Sequence, residues 1–295
     1  MRSFPARVLR SLLYRTLGKE RMEAIVSRAA RLLDLDLQVL GYRNAGILNY
    51  ETAERSGEAF LMQTVLPRTI IDPSPVLFDV GANVGEMASM LRQTFPSARV
   101  VAFEPNPVTF EALTKGVGEA VECIAAGLGS TEGSGTLYCY RRDQQSGHAS
   151  VYRDVFEIYE GYGVEGARDL TSFEFPIRTL DAVCRELGIE KIDFLKIDVE
   201  GHEIEVLRGA TGMLAKRGIS LIQFEFNDCH VMSRTFMRDF YDLLHDFTFF
   251  RLGPDHLIPM GPYAARLEIF QYQNVLAVRS DRMNAPEWQA VLGEK

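Results

Sequence analysis

The sequence predicts an α/β fold built on a mainly parallel sheet, and three observations carry that prediction. From residue 76 onward, short apolar strand-like runs alternate with helical segments. The first run, VLFDV at 76–80, passes directly into a glycine loop and then a helix, the order used where a ligand approaches the backbone. Two late extended pieces, FTFFRL at 247–252 and FQYQNVLAVR at 270–279, follow the last helical segment.

The elements can be justified in order. At 20–33, Met22, Ile25, Val26, Ala29, Leu32 and Leu33 recur at helical spacing, with Arg21, Arg28 and Arg31 on the other face. That helix suits either a cap packed on the main domain or a contact with an anionic membrane or a partner. A second helix is predicted over 54–66, ending at Pro67, and DPSP at 72–75 is a stop. Strand 76–80 is followed by a helix from Gly85 to Phe95, strand 98–104, and a helix from Pro107 to Lys115. Strand 120–126 comes next, then, much later, strand 191–198, helix 201–215, strand 219–226 and helix 234–247. The stretch 127–177 interrupts this alternation. GSGTLYCY reads as an added strand, while 143–152 and 160–169 are turn-rich and aromatic. A loop of that size at the carboxyl edge of a parallel sheet is expected to cover the site. The expected organisation is a helical extension over 1–70, a main domain over 71–282 with the cover at 127–177, and a tail over 283–295.

Composition narrows the function classes. Of 295 residues, 46% are hydrophobic and 24% charged, which argues against a disordered chain. The net charge of −8 disfavours a general nucleic-acid binder, although residues 1–31 carry eight Lys/Arg against two Asp/Glu. Four scattered cysteines with no C-x-x-C exclude zinc-finger and thioredoxin-like readings and fit a reducing compartment. No apolar run approaches the ~18 residues of a membrane span, and MRSFPARVLRSLLYR lacks the apolar centre of a secretory signal. A cytoplasmic protein is expected.

The chemistry is carried by Asp79-Val80-Gly81-Ala82-Asn83-Val84-Gly85. Its G-x-x-x-G differs from the G-x-G-x-x-G of dinucleotide sites, and there is no P-loop sequence. Asp79 would repel a pyrophosphate and suit a ligand bearing an amine and a sulfonium. Glu104 ends the next strand, 19 residues after Gly85, where a carboxylate can accept both hydroxyls of a ribose. Taken singly, Asp79 could form the turn and Glu104 could be a solvated strand end. Together, in register with the glycine loop, they favour S-adenosylmethionine over NAD or ATP.

FDVGANVG (78–85), FEPNP (103–107), RTLDAV (178–183) and FLKIDVEGHEIEVLRGA (194–210) resemble, in order and spacing, the FkbM family of S-adenosylmethionine-dependent methyltransferases. The resemblance covers about residues 55–280. It implies a Rossmann-like class I methyltransferase fold, a seven-stranded sheet with a late antiparallel hairpin. It also implies O-methylation of a hydroxyl on a sugar or polyketide-like product. Carried over by position, Asp79, Gly81, Asn83 and Gly85 would line the methionine and ribose side, Glu104 would hold the ribose, and Pro105 and Asn106 would shape the adenosine wall.

Asp198 ends the fourth strand of the sheet and His202 follows in the first turn of the next helix, so both are expected to face the transferring methyl. A helix start keeps imidazole neutral, which suits His202 as a general base. Asp198 could instead cap the helix or hold the cofactor amine. Glu200 and Glu203 read as helix-start carboxylates. Asp198, Glu225 and Asp228 form a candidate set for Mg²⁺. His148 and the aromatics of 152–175 are candidates for contact with the acceptor. Two other readings are an NAD-dependent sugar enzyme on a related fold and a non-catalytic scaffold docked through the basic N-terminal helix.

Overall fold

The computed structural model describes residues 15–164 and 166–293. The arginine-bearing stretch 1–14, residue 165 of the turn-rich run, and residues 294–295 lie outside the described residues. The chain divides into two compact units, Met1–Ala45 and Gly46–Lys295. The predicted boundary at residue 71 therefore moves to 46.

In the first unit a helix spans Lys19–Leu32 and a second spans Leu37–Asn44. Asp36 caps the second, accepting from the backbone N–H groups of Gln38 (2.8 Å) and Val39 (3.1 Å). Within this unit Ile25, Val26, Leu32 and Leu33 are exposed.

In the second unit a helical stretch runs in short pieces, Ala53–Ser56, Glu58–Phe60, a π-helical turn Leu61–Val65, and Leu66–Thr69. It does not stop at Pro67. The proline lies in the first turn of the last piece, where its missing N–H costs little.

The main sheet contains β1 (Val76–Val80), β2 (Arg99–Phe103), β3 (Glu122–Ile124), β7 (Ile192–Ile197), β8 (Ile219–Phe226), β9 (Phe247–Leu252), β10 (Leu257–Pro259) and β11 (Gln273–Arg279). Its order is β10-β9-β11-β8-β7-β1-β2-β3. Strands β3, β2, β1, β7 and β8 are parallel. β11 lies antiparallel between β8 and β9, as the late hairpin of the class I methyltransferase fold. The expected seven strands are present, and the three-residue β10 adds an eighth at the edge. Alternate residues of the strands feed two cores. Phe78, Phe103, Leu195 and Phe224 pack on one face, and Leu77, Val100, Phe194 and Leu276 on the other. Each such side chain contributes roughly 1.5–3 kcal/mol by leaving water.

The excursion holds more structure than one added strand. β4 (Gly127–Leu128), β5 (Gly133–Tyr140) and β6 (Leu170–Arg178) form a second sheet, with a helix Val155–Gly161 between β5 and β6. Two predicted helices differ from their expected spans. The 201–215 helix divides into Glu203–Arg208 and Thr211–Ala215, because the Asp181 carboxylate takes the backbone N–H groups of Gly212 (2.6 Å) and Met213 (2.8 Å). The predicted 234–247 helix shortens to Met237–Leu243, and an unpredicted helix, Cys229–Ser233, precedes it, the two set apart where Arg234 adopts φ 55°. The expected tail is a helix, Pro286–Gly293, whose Trp288 is fully buried in the same core as Leu61 and Met62.

Candidate active site

The site is built where the carboxyl ends of β1, β2, β7 and β8 meet the excursion. β1 delivers the chain into Gly81 at φ 81°, and a Cβ there would lie 1.8 Å from the Asp198 carbonyl oxygen. Only glycine lets the loops after β1 and β7 cross this closely. Asn83 follows at φ 47°, a left-handed position that asparagine tolerates. Its Oδ1 is buried without a hydrogen-bond partner, an acceptor ready for a ligand.

Glu104, 7% exposed, follows β2. One carboxyl oxygen accepts the Asn83 N–H at 3.0 Å and the other the Asn106 N–H at 2.8 Å. A carboxylate offers about four lone-pair sites, so two remain for a pair of hydroxyls. Burial pushes Glu104 up to about 7, against the pull of those two backbone bonds. Asn106 caps the helix Pro107–Val117 through its Oδ1 and donates its Nδ2–H to the Gln144 carbonyl at 2.6 Å, which ties the excursion to this wall.

Two clefts result. A narrow one of about 660 Å³ is lined by Asn83, Glu104, Pro105, Asn106 and Leu128, with Gly147 and Val151 of the excursion opposite. A wider one of about 1650 Å³ has aromatic walls, Tyr50, Tyr159, Tyr162 and Tyr272, and carboxylates Glu225 and Asp228. Gly81, Asn83, Gly147, Asp198 and Glu200 line both, so the clefts meet there. The narrow cleft brings together an acidic side chain, a backbone crossing only glycine permits, and an unpaired buried acceptor.

The structure redistributes several expected roles. Asp79 is fully buried and lines neither cleft. It stands in register with Lys196 of β7, whose Nζ is 3.9 Å from Asp79 Oδ1 and 2.9 Å from Asp198 Oδ2. Burial raises the Asp79 pKa, and Lys196 opposes that rise. Lys196 thus faces it within the sheet, while neither carboxyl oxygen has a hydrogen-bond partner among the described residues. Gly85 is a packing glycine, since a Cβ there would lie 2.7 Å from Leu113 and Val117. His202 lines the narrow cleft but not the wide one, and its Nδ1 lies 3.1 Å from the Tyr152 hydroxyl. The chain reverses at Glu200 (φ 51°) and Gly201 (φ 98°), and it is Glu200 that lines the wide cleft. The His202 pKa is lowered, chiefly by burial, with Glu203 and Glu205 opposing. Asp198, Glu225 and Asp228 do not assemble as a cation site. Asp198 pairs with Lys196, Glu225 takes Asn227 Nδ2–H at 2.5 Å, and Asp228 takes the Tyr162 hydroxyl at 2.5 Å. Among the described residues no group of three or more His, Cys, Asp or Glu is disposed to hold a metal ion.

A family model described as the methyltransferase FkbM domain matches residues 79–250. The chain belongs to the FkbM methyltransferase family. It is similar to the AMB antimetabolite synthetase AmbE of Pseudomonas aeruginosa, at 33% identity over 60% of this chain and 10% of that protein. It is similar to the hexuronic acid methyltransferase AglP of Haloferax volcanii, at 30% identity over 50% of this chain and 55% of that one. It is also similar to the 31-O-demethyl-FK506 methyltransferase FkbM of Streptomyces tacrolimicus, at 30% identity over 46% of this chain and 60% of that one. In each case the match spans less than two thirds of the relative's length.

In this FkbM-family chain the sequence missed Tyr50, Gly147, Tyr272 and the role of Glu200. Tyr50 and Tyr272 converge from distant segments, with rings 5.9 Å apart, so no local spacing marks them. Glu200 carries a signal only in hindsight, as the residue before a glycine at a sharp reversal. His148, a sequence candidate for acceptor contact, does line the wide cleft, stacked on Tyr159 at 4.6 Å.

Proposed function

We propose that this chain is an S-adenosylmethionine-dependent O-methyltransferase whose acceptor is a hydroxyl of a sugar, glycan or polyketide-like small molecule. The observation that carries the reading is the junction of the cleft lined by Glu104 and Asn83 with an aromatic, carboxylate-bearing one at Gly81, Asn83, Asp198 and Glu200. The names of two relatives, a hexuronic acid methyltransferase and a 31-O-demethyl-FK506 methyltransferase, support the acceptor class. Bound S-adenosylmethionine supplies an electrophilic methyl group. The chain's own residues bind and orient. Glu104 holds the ribose, Asn83 Oδ1 accepts from the ligand, and His202 with Tyr152 shapes the narrow cleft. The tyrosines stack on the acceptor, and in-line methyl transfer gains mainly from such positioning. Mass spectrometry of candidate hydroxyl acceptors incubated with isotopically labelled cofactor tests the reaction. Titration with S-adenosylhomocysteine against NAD tests the cleft, and binding of NAD alone would overturn the reading.

The setting we infer is cytoplasmic. Cys123, Cys139, Cys184 and Cys229 are all free, and no described helix is long and apolar enough to cross a membrane. We also propose that the helix Lys19–Leu32 contacts an anionic lipid surface, since exposed Ile25, Val26 and Leu32 share it with Arg21, Arg28 and Arg31.

A further inference from the structure

We propose that Glu200, rather than His202, is the base that takes the proton of the acceptor hydroxyl, through its Oε1. The inference rests on the reading of the narrow cleft as an S-adenosylmethionine site. Three observations converge on Glu200. It lines both clefts, so its carboxyl group stands where donor and acceptor must meet. Its protein contacts all fall on one oxygen: Oε2 accepts from the Tyr159 hydroxyl at 3.0 Å, Asn227 Nδ2 at 3.4 Å and Cys229 Sγ at 3.4 Å. Oε1 takes no hydrogen bond from the described residues. The backbone is held at φ 51°, with the Glu200 carbonyl accepting from Ser150 Oγ at 2.8 Å. A non-glycine residue kept in that region is strained, and surrounding contacts must hold it there. The competing groups are committed. Asp198 is paired with Lys196, while Glu225 and His148 line the wide cleft alone.

Electrostatics make the base conditional on the donor. Burial pushes Glu200 up to about 8, helped by the Asp198 and Glu203 carboxylates and opposed by the bonds from Cys229 and Tyr159. Glu225 and Tyr140 complete the titratable groups that interact with it. At neutral pH the ligand-free group therefore keeps its proton. A permanently cationic methyl donor beside it favours the carboxylate, whereas the product, neutral at sulfur, does not. In the transfer, the acceptor O–H proton passes to Glu200 Oε1 and the oxygen's electron pair forms the new C–O bond. The electrons of the breaking C–S bond stay on sulfur. The carboxyl group ends protonated, as it began before donor binding.

The test needs no acceptor. S-adenosylmethionine and S-adenosylhomocysteine are titrated calorimetrically at pH 7 in buffers of differing ionisation enthalpy, which reads protons released per ligand bound. The wild type should release a fraction of a proton more with S-adenosylmethionine than with S-adenosylhomocysteine. Glu200→Gln should abolish that difference and Glu200→Asp should keep it. Should Glu200→Gln fail to melt cooperatively, a pH series on the wild type decides: the difference must fade as pH rises past about 8, where the free group is already ionised. If both ligands bind and the difference is absent, or survives in Glu200→Gln, Glu200 is not the base, while the methyltransferase reading stands. If neither ligand binds, that reading falls and takes this inference with it.

Discussion

Glu104 joins two jobs in one carboxyl group. It ties the glycine loop to the start of the helix Pro107–Val117 by accepting the Asn83 and Asn106 N–H groups, and it keeps acceptor capacity for a ribose. Glu104→Gln keeps the volume but loses charge-assisted bonds worth ~1.5–3 kcal/mol each. Affinity for S-adenosylhomocysteine should drop at least about tenfold in a variant that still melts cooperatively, as read by calorimetric titration. Unchanged affinity would remove Glu104 from the site. This residue, with Gly81 and Asn106, was legible because a strand end followed by a fixed turn leaves few directions for a side chain. Asp79 was not legible in the same way. Its role depends on which strand lies alongside, and Lys196, 117 residues later, supplies the charge it faces. That Glu200 and not His202 lines the wide cleft was hidden for a comparable reason: two successive positive-φ residues turn the chain back, and helical spacing does not anticipate that.

Among the elements, the alternating strands of the sheet were readable because their apolar runs are buried on both faces and bounded by turns. In the excursion β5 was readable and its partner β6 was not, since the two half-exposed strands pair across a 29-residue interval. The break in the 201–215 helix comes from a distant cap, Asp181, and the late start of the next helix from a backbone reversal at Arg234, neither of which local spacing marks. The helix Lys19–Leu32 kept its predicted span almost to the residue, and its exposed apolar side chains give the lipid proposal its test. Removing residues 1–31 should leave S-adenosylhomocysteine binding intact and reduce co-sedimentation with anionic vesicles. Equal sedimentation of the full chain with neutral and anionic vesicles would end the lipid proposal.

For the whole molecule, the buried acids set a pH dependence with a definite sign. Glu104 and Glu200, raised to about 7 and about 8, keep protons in the folded state that the unfolded chain gives up above about 4.5. Each such group removes about 1.4 kcal/mol of stability per pH unit across that interval. Below about 6.5 His148 and His202, whose pKa values desolvation lowers, act oppositely, because the unfolded chain then protonates them and the folded state resists. The clear window is pH 6.5 to 8, where the melting temperature of the ligand-free protein should fall and Glu200→Gln should flatten the slope. A melting temperature that rises across this window would refute the assignment. The span 144–150 has a further consequence. At one end the Gln144 carbonyl is held by Asn106 and Thr109, beside the ribose carboxylate; at the other, Ser150 holds the Glu200 carbonyl. A seven-residue strap anchored to both clefts is a thermodynamic link between them. Whatever ordering one occupant imposes on the strap, the second occupant need not supply again, so each should tighten the other by the same factor. The first sign would be visible without any acceptor: S-adenosylhomocysteine alone should slow amide exchange at His148 and Ser150, which do not line the narrow cleft. If protection is confined to Ser146, Gly147, Ala149 and Val151, which do, the two clefts are neighbours that fill independently.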